Sequence, residues 1–107
     1  MTEVLRRLEA TIAARKAEGD ASSSHTARLL AAGRAKCAQK FGEEAVEAVV
    51  AAATGDRDEL TKEAADALYH LLVALAANDV PLAEVEAELE RRQGVSGLAE
   101  KAARAKG

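Results

Sequence analysis

Five acidic residues and two lysines carry most of the chemistry this sequence can offer. Glu43, Glu44 and Glu47 are followed, after a gap of fifteen residues, by Glu63 and Asp66. Glu44 and Glu47 stand at i and i+3, and so do Glu63 and Asp66, so each pair shares one face of a helix. Gly55 lies eight residues after Glu47 and eight before Glu63. If the chain turns at Gly55, an antiparallel hairpin brings the two pairs level. Four carboxylates then face one another, and such a cluster repels itself unless a cation fills it. An all-oxygen donor set suits a hard divalent ion, and Mg²⁺ keeps waters in its coordination sphere. In such a cage, Mg²⁺ grips a polyphosphate and acidifies a bound water. At about 100° per residue, Lys36 and Lys40 fall on the same stripe as Glu43, Glu44 and Glu47. Ammonium groups beside a metal suit phosphate oxygens. His70 lies one turn beyond Asp66 and needs a partner in its apolar surroundings.

The elements that must position these residues read as helices. Alanine fills 27 of 107 positions, while Phe41 and Tyr69 are the only aromatic residues. A core of small side chains favours close-packed helices over sheets. Residues 3–18 place Leu5, Leu8 and Ile12 on one face. A loop at Gly19–Ser24 leads to a helix anchored by Leu29 and Leu30, which Gly33 ends or bends. A longer helix follows from Arg34 to about Thr54, with Phe41, Ala45, Val46, Val49 and Ala52 as its apolar side. Gly55 stops it. Asp56 then caps the next helix, with Glu59 placed for a capping box. That helix runs to about Ala77, and from Ala64 onward Asp66 and His70 interrupt an otherwise apolar sequence. A helix apolar nearly all round is central and buried on several sides. Asn78–Val80 form a turn, Pro81 admits a further helix carrying Leu82, Val85 and Leu89, and Gly94 ends it. The expectation is an all-α fold of four to five helices in antiparallel hairpins, one domain over residues 1–107 with a tail at 95–107. Cys37 and Tyr69 are expected to serve packing.

Composition narrows the partners. The net charge of −3 and the scarcity of aromatics leave neither a basic field nor a stacking platform for nucleic acid. No apolar run approaches a membrane span. A lone cysteine forms no internal disulfide, and two histidines and one cysteine cannot build a zinc-finger-type site. The cytoplasm is the expected compartment.

The pattern Glu43-Glu44-x-x-Glu47, then Glu63-x-x-Asp66, resembles the metal motif of the all-α, MazG-like nucleotide pyrophosphohydrolases. Three segments narrow the resemblance: Ser24-His25-Thr26-Ala27-Arg28-Leu29-Leu30, Ala38 to Glu47, and Glu63 to Val73. In order and spacing they are similar to the phosphoribosyl-ATP pyrophosphohydrolase family, although that family often has Tyr at the place of His25 and Ser at that of Pro81. The resemblance implies hydrolysis of 1-(5-phosphoribosyl)-ATP to 1-(5-phosphoribosyl)-AMP and pyrophosphate, the second step of histidine biosynthesis. It implies Mg²⁺ held by Glu44, Glu47, Glu63 and Asp66, phosphates met by Lys36 and Lys40, and support from Glu43. It also implies a homodimer in which helix pairs of two subunits form a four-helix bundle. Two alternatives are a hydrolase of other nucleoside triphosphates or dUTP with the same cage, and a helical dimerisation module whose acids only solubilise it.

Overall fold

The computed structural model describes residues 3–22 and 24–94, and their regular structure is entirely helical. Five helices follow in order: α1 (Glu3–Glu18), α2 (His25–Ala32), α3 (Arg34–Thr54), α4 (Arg57–Ala77) and α5 (Leu82–Gln93). The expected tail at 95–107 lies outside the described residues.

The helix boundaries follow local chemistry. Ser24 caps α2 by accepting a hydrogen bond from the Ala27 N–H at 3.0 Å. Gly33 alone separates α2 from α3, at φ +98°, a conformation that glycine adopts without a Cβ penalty. Gly55 ends α3 in the left-handed region, its N–H directed at the carbonyls of Ala51 and Ala52. Asp56 accepts from the Glu59 N–H at 3.0 Å. The capping box is only half made, because the Asp56 N–H bonds the Ala51 carbonyl instead. Pro81 has no polar side-chain atom with which to cap α5. Glu9 of α1 supplies the cap, accepting from the Leu82 N–H at 2.6 Å.

α3 and α4 form the antiparallel hairpin expected around Gly55, and this is the most extensive helix pair. α1 and α2 cover its open end. There Ile12, Leu29, Cys37, Leu72, Val73 and Leu82 form the buried core, flanked by Leu5, Leu8, Leu30 and Tyr69. Cys37 packs as expected and directs its thiol at the Leu29 carbonyl, 3.2 Å away.

Among the described residues, the closed end of the hairpin has no such cover. Val46, Val49 and Val50 are 61%, 64% and 56% exposed, and Leu68 of α4 is 41% exposed. α3 buries Cys37 near its start and Ala51 near its end, and α4, packed against α1, α2 and α3, is buried on several sides as expected while Leu68 stays exposed. The cause is length: α3 and α4 each run 21 residues, while α2 has only 8 and covers one end of them. No single helix among the described residues is long and apolar enough to cross a membrane.

Candidate metal centre

The carboxylates converge midway along the hairpin. One oxygen from each of Glu44, Glu63 and Asp66 lies within 4.8 Å of the others. Glu44 comes from α3, Glu63 and Asp66 from α4, so the antiparallel pairing itself builds the cluster. Glu47 sits between the helices' acids, in hydrogen-bond contact with the carboxyls of both Glu44 and Glu63. Glu59, one turn before Glu63, extends the group toward the turn.

Charge repulsion is visible in the proton equilibria. The Glu63 carboxyl is pushed up to about 7, first by its hydrogen bond to Glu59, then by burial and by Glu47. Glu44 is raised by its hydrogen bond to Glu47, by burial, and by repulsion from Glu47 and Asp66, with Lys40 opposing. A carboxyl that titrates near neutrality marks a site short of positive charge. The Glu63 Oε2 atom is buried with no hydrogen-bond partner. Oxygens gathered from two helices, one of them buried and unsatisfied, are of the kind that a hard divalent cation takes as ligands. A hollow of about 350 Å³ opens beside them, lined by Glu47, Glu59, Glu63, Val46, Val50 and Thr54 among others. Another hollow, about 630 Å³, lies between α1 and the end of α4, and no carboxylate of the cluster lines it.

The remaining expected residues surround this group. Glu43 does not join it. Its carboxylate takes a hydrogen bond from Gln39 at 2.9 Å and pairs with Lys40 at 3.3 Å, and these contacts lower its pKa. Lys40 acts electrostatically on Glu43, Glu44 and His70, which places it beside the cluster. Lys36, one turn earlier, acts on Glu43. His70 is buried, and burial, Lys40 and His25 depress its pKa against the pull of Asp66 and Glu43. Glu59 joins the acid group although its sequence position suggests a capping box; the signal for its membership is the i, i+4 spacing to Glu63.

Known proteins supply the next observation. A family model described as phosphoribosyl-ATP pyrophosphohydrolase matches residues 5–93. The chain belongs to the phosphoribosyl-ATP pyrophosphohydrolase family. Its relatives include a phosphoribosyl-ATP pyrophosphatase of Dinoroseobacter shibae, 70% identical over 94% of this chain and 98% of the relative. Another, from Cereibacter sphaeroides, is 67% identical over 94% of this chain and 97% of the relative. A third, from Novosphingobium aromaticivorans, is 62% identical over 95% and 94%. In this member of the phosphoribosyl-ATP pyrophosphohydrolase family, the matched region takes in the whole carboxylate group, both lysines and His70.

Proposed function

We propose that this chain hydrolyses 1-(5-phosphoribosyl)-ATP to 1-(5-phosphoribosyl)-AMP and pyrophosphate, in histidine biosynthesis, at the carboxylate group of the α3–α4 hairpin. The observation that carries this reading is the convergence of Glu44, Glu63 and Asp66 from two helices within a family of that activity. Glu44, Glu47, Glu63 and Asp66 hold Mg²⁺. The bound ion supplies charge neutralisation on the phosphates and acidifies a water.

The protein's own residues do the rest by position. Lys36 and Lys40 meet the phosphate oxygens, and Lys40 is steadied by Glu43. Phosphoanhydride cleavage needs an aligned water and charge stabilisation on the leaving pyrophosphate, with little covalent work by the enzyme. A carboxylate of the group orients the water. His70 supports the site from the buried side. The reaction is assigned to the cytoplasm, which suits a chain whose one cysteine, Cys37, forms no internal disulfide.

The active form is a homodimer. Val46, Val49, Val50 and Leu68 leave an apolar face on the hairpin beside the carboxylates, and a second hairpin packed there forms a four-helix bundle.

The reading is tested with a substrate panel. Pyrophosphate release with Mg²⁺ is expected from phosphoribosyl-ATP and not from ATP or dUTP. Release from the latter two instead keeps the cage and moves the protein to general nucleotide hydrolysis.

A further inference from the structure

The carboxylates and lysines account for the phosphate end of a nucleotide, and none of them reads a base. A second cluster stands beside them. His25 opens α2 and is exposed. Its ring meets that of His70 edge-on, with centroids 6.4 Å apart and planes at 89°. His70 in turn meets Tyr69 edge-on at 4.9 Å and 73°. The hydroxyls of Tyr69 and Thr26 are hydrogen-bonded, which ties the first turn of α2 to α4 at the level of the rings. Phe41 is the only other aromatic or imidazole ring in the chain, so three rings of four gather here. Lys40, Asp66 and Glu43 act electrostatically on His70, so the rings adjoin the phosphate end of the site.

Two features of this corner point to a ligand. His70 is only 6% exposed, yet its Nδ1 has no hydrogen-bond partner among the described residues. A buried polar atom left unpaired is costly and exceptional in a folded protein. His25, at the open end of the cluster, offers a ring to solvent, and imidazole is among the side chains on which bases stack.

Resting on the reaction given above, we propose that His25 contacts the purine face of the substrate, backed by His70 and Tyr69. His25 is then a specificity residue for the base-bearing half of the substrate, separate from the groups that hold pyrophosphate.

The test uses two ligands that divide the substrate. Phosphoribosyl-AMP carries the base, and inorganic pyrophosphate does not. Calorimetry in the presence of Mg²⁺ measures each with the wild type, His25→Ala and His25→Phe, each checked for an unchanged unfolding temperature. His25→Ala is expected to weaken phosphoribosyl-AMP about tenfold, the scale of a lost stacking contact. Pyrophosphate binding stays unchanged, and His25→Phe, which keeps a ring, recovers most of the loss. Phosphoribosyl-AMP affinity within about twofold of wild type in His25→Ala overturns the proposal. So does an equal weakening of both ligands, or a wild type that does not bind phosphoribosyl-AMP. Calorimetry does not depend on turnover. A wild type that binds phosphoribosyl-AMP but releases no pyrophosphate from phosphoribosyl-ATP therefore overturns the reaction, while the variants still decide the His25 contact.

Discussion

Glu47 on α3 and Glu63 on α4 meet carboxyl to carboxyl across the hairpin, each eight residues from Gly55. Two acids in hydrogen-bond contact must share a proton or a cation, and this pair sits beside Glu44 and Asp66, where a cation would serve both helices. The relationship makes the hairpin both scaffold and site. Its turn fixes the register, and the register fixes which acids face each other.

The first prediction concerns pH. The Glu63 carboxyl, ordinarily near 4.5, titrates at about 7 in the folded, metal-free chain. Between those values the folded protein holds a proton that the unfolded chain has released. Linkage then makes stability fall as pH rises through the window from about 4.5 to 7. Thermal unfolding in EDTA is expected to show that decline. Adding Mg²⁺ at pH 8 is expected to recover the loss, because the cation takes the proton's place. A flat EDTA profile contradicts the repulsion at Glu63.

Neutralising one acid separates stability from binding. Asp66→Asn and Glu47→Gln remove a negative charge from a crowded group, so the metal-free variants are expected to melt at or above the wild-type temperature. Both are expected to lose the Mg²⁺-dependent rise, which for the wild type is about 2.7 kcal/mol at a hundredfold excess over Kd. Variants that keep the full Mg²⁺ shift place the ion elsewhere.

Glu9 has a structural role that links α1 to α5. Its carboxylate caps α5 through the Leu82 N–H. Glu9→Ala is expected to cost about 1–2 kcal/mol by loss of that charge-assisted bond. Chemical denaturation reads the change, and an unchanged midpoint rules the cap out as a source of stability.

The apolar face of the hairpin predicts association. The protein is expected to sediment at twice the 11.2 kDa mass of one chain. Val49→Asp places a charge on a residue 64% exposed in one chain and is expected to shift the population toward monomer. A monomeric wild type leaves that face without the proposed partner.

Much of the fold was legible because helix signals here are local. Ser24, Gly33, Gly55 and Asp56 each mark a boundary by their own chemistry, and the structure places helix ends beside all four. The convergence of Glu44, Glu63 and Asp66 was legible for a related reason: i, i+3 spacing on two helices joined by a two-residue turn leaves little freedom in register. What the sequence hid depends on distance in space. The Glu9 cap joins residues 73 positions apart. The Tyr69–Thr26 bond spans 43, and no periodicity signals either. Val46 and Val49 belong to an apolar stripe, and such a stripe carries no label for whether its cover comes from the same chain.

The most direct test of the carboxylate site is pyrophosphate release from phosphoribosyl-ATP by the wild type and Asp66→Asn, with Mg²⁺ and with EDTA. The wild type is expected to turn over with Mg²⁺ and to stop in EDTA. Asp66→Asn is expected to lose about 100-fold or more at the same Mg²⁺ concentration while remaining folded. Wild-type turnover in EDTA, or an Asp66→Asn variant as fast as the wild type, would contradict a metal-holding role for these carboxylates.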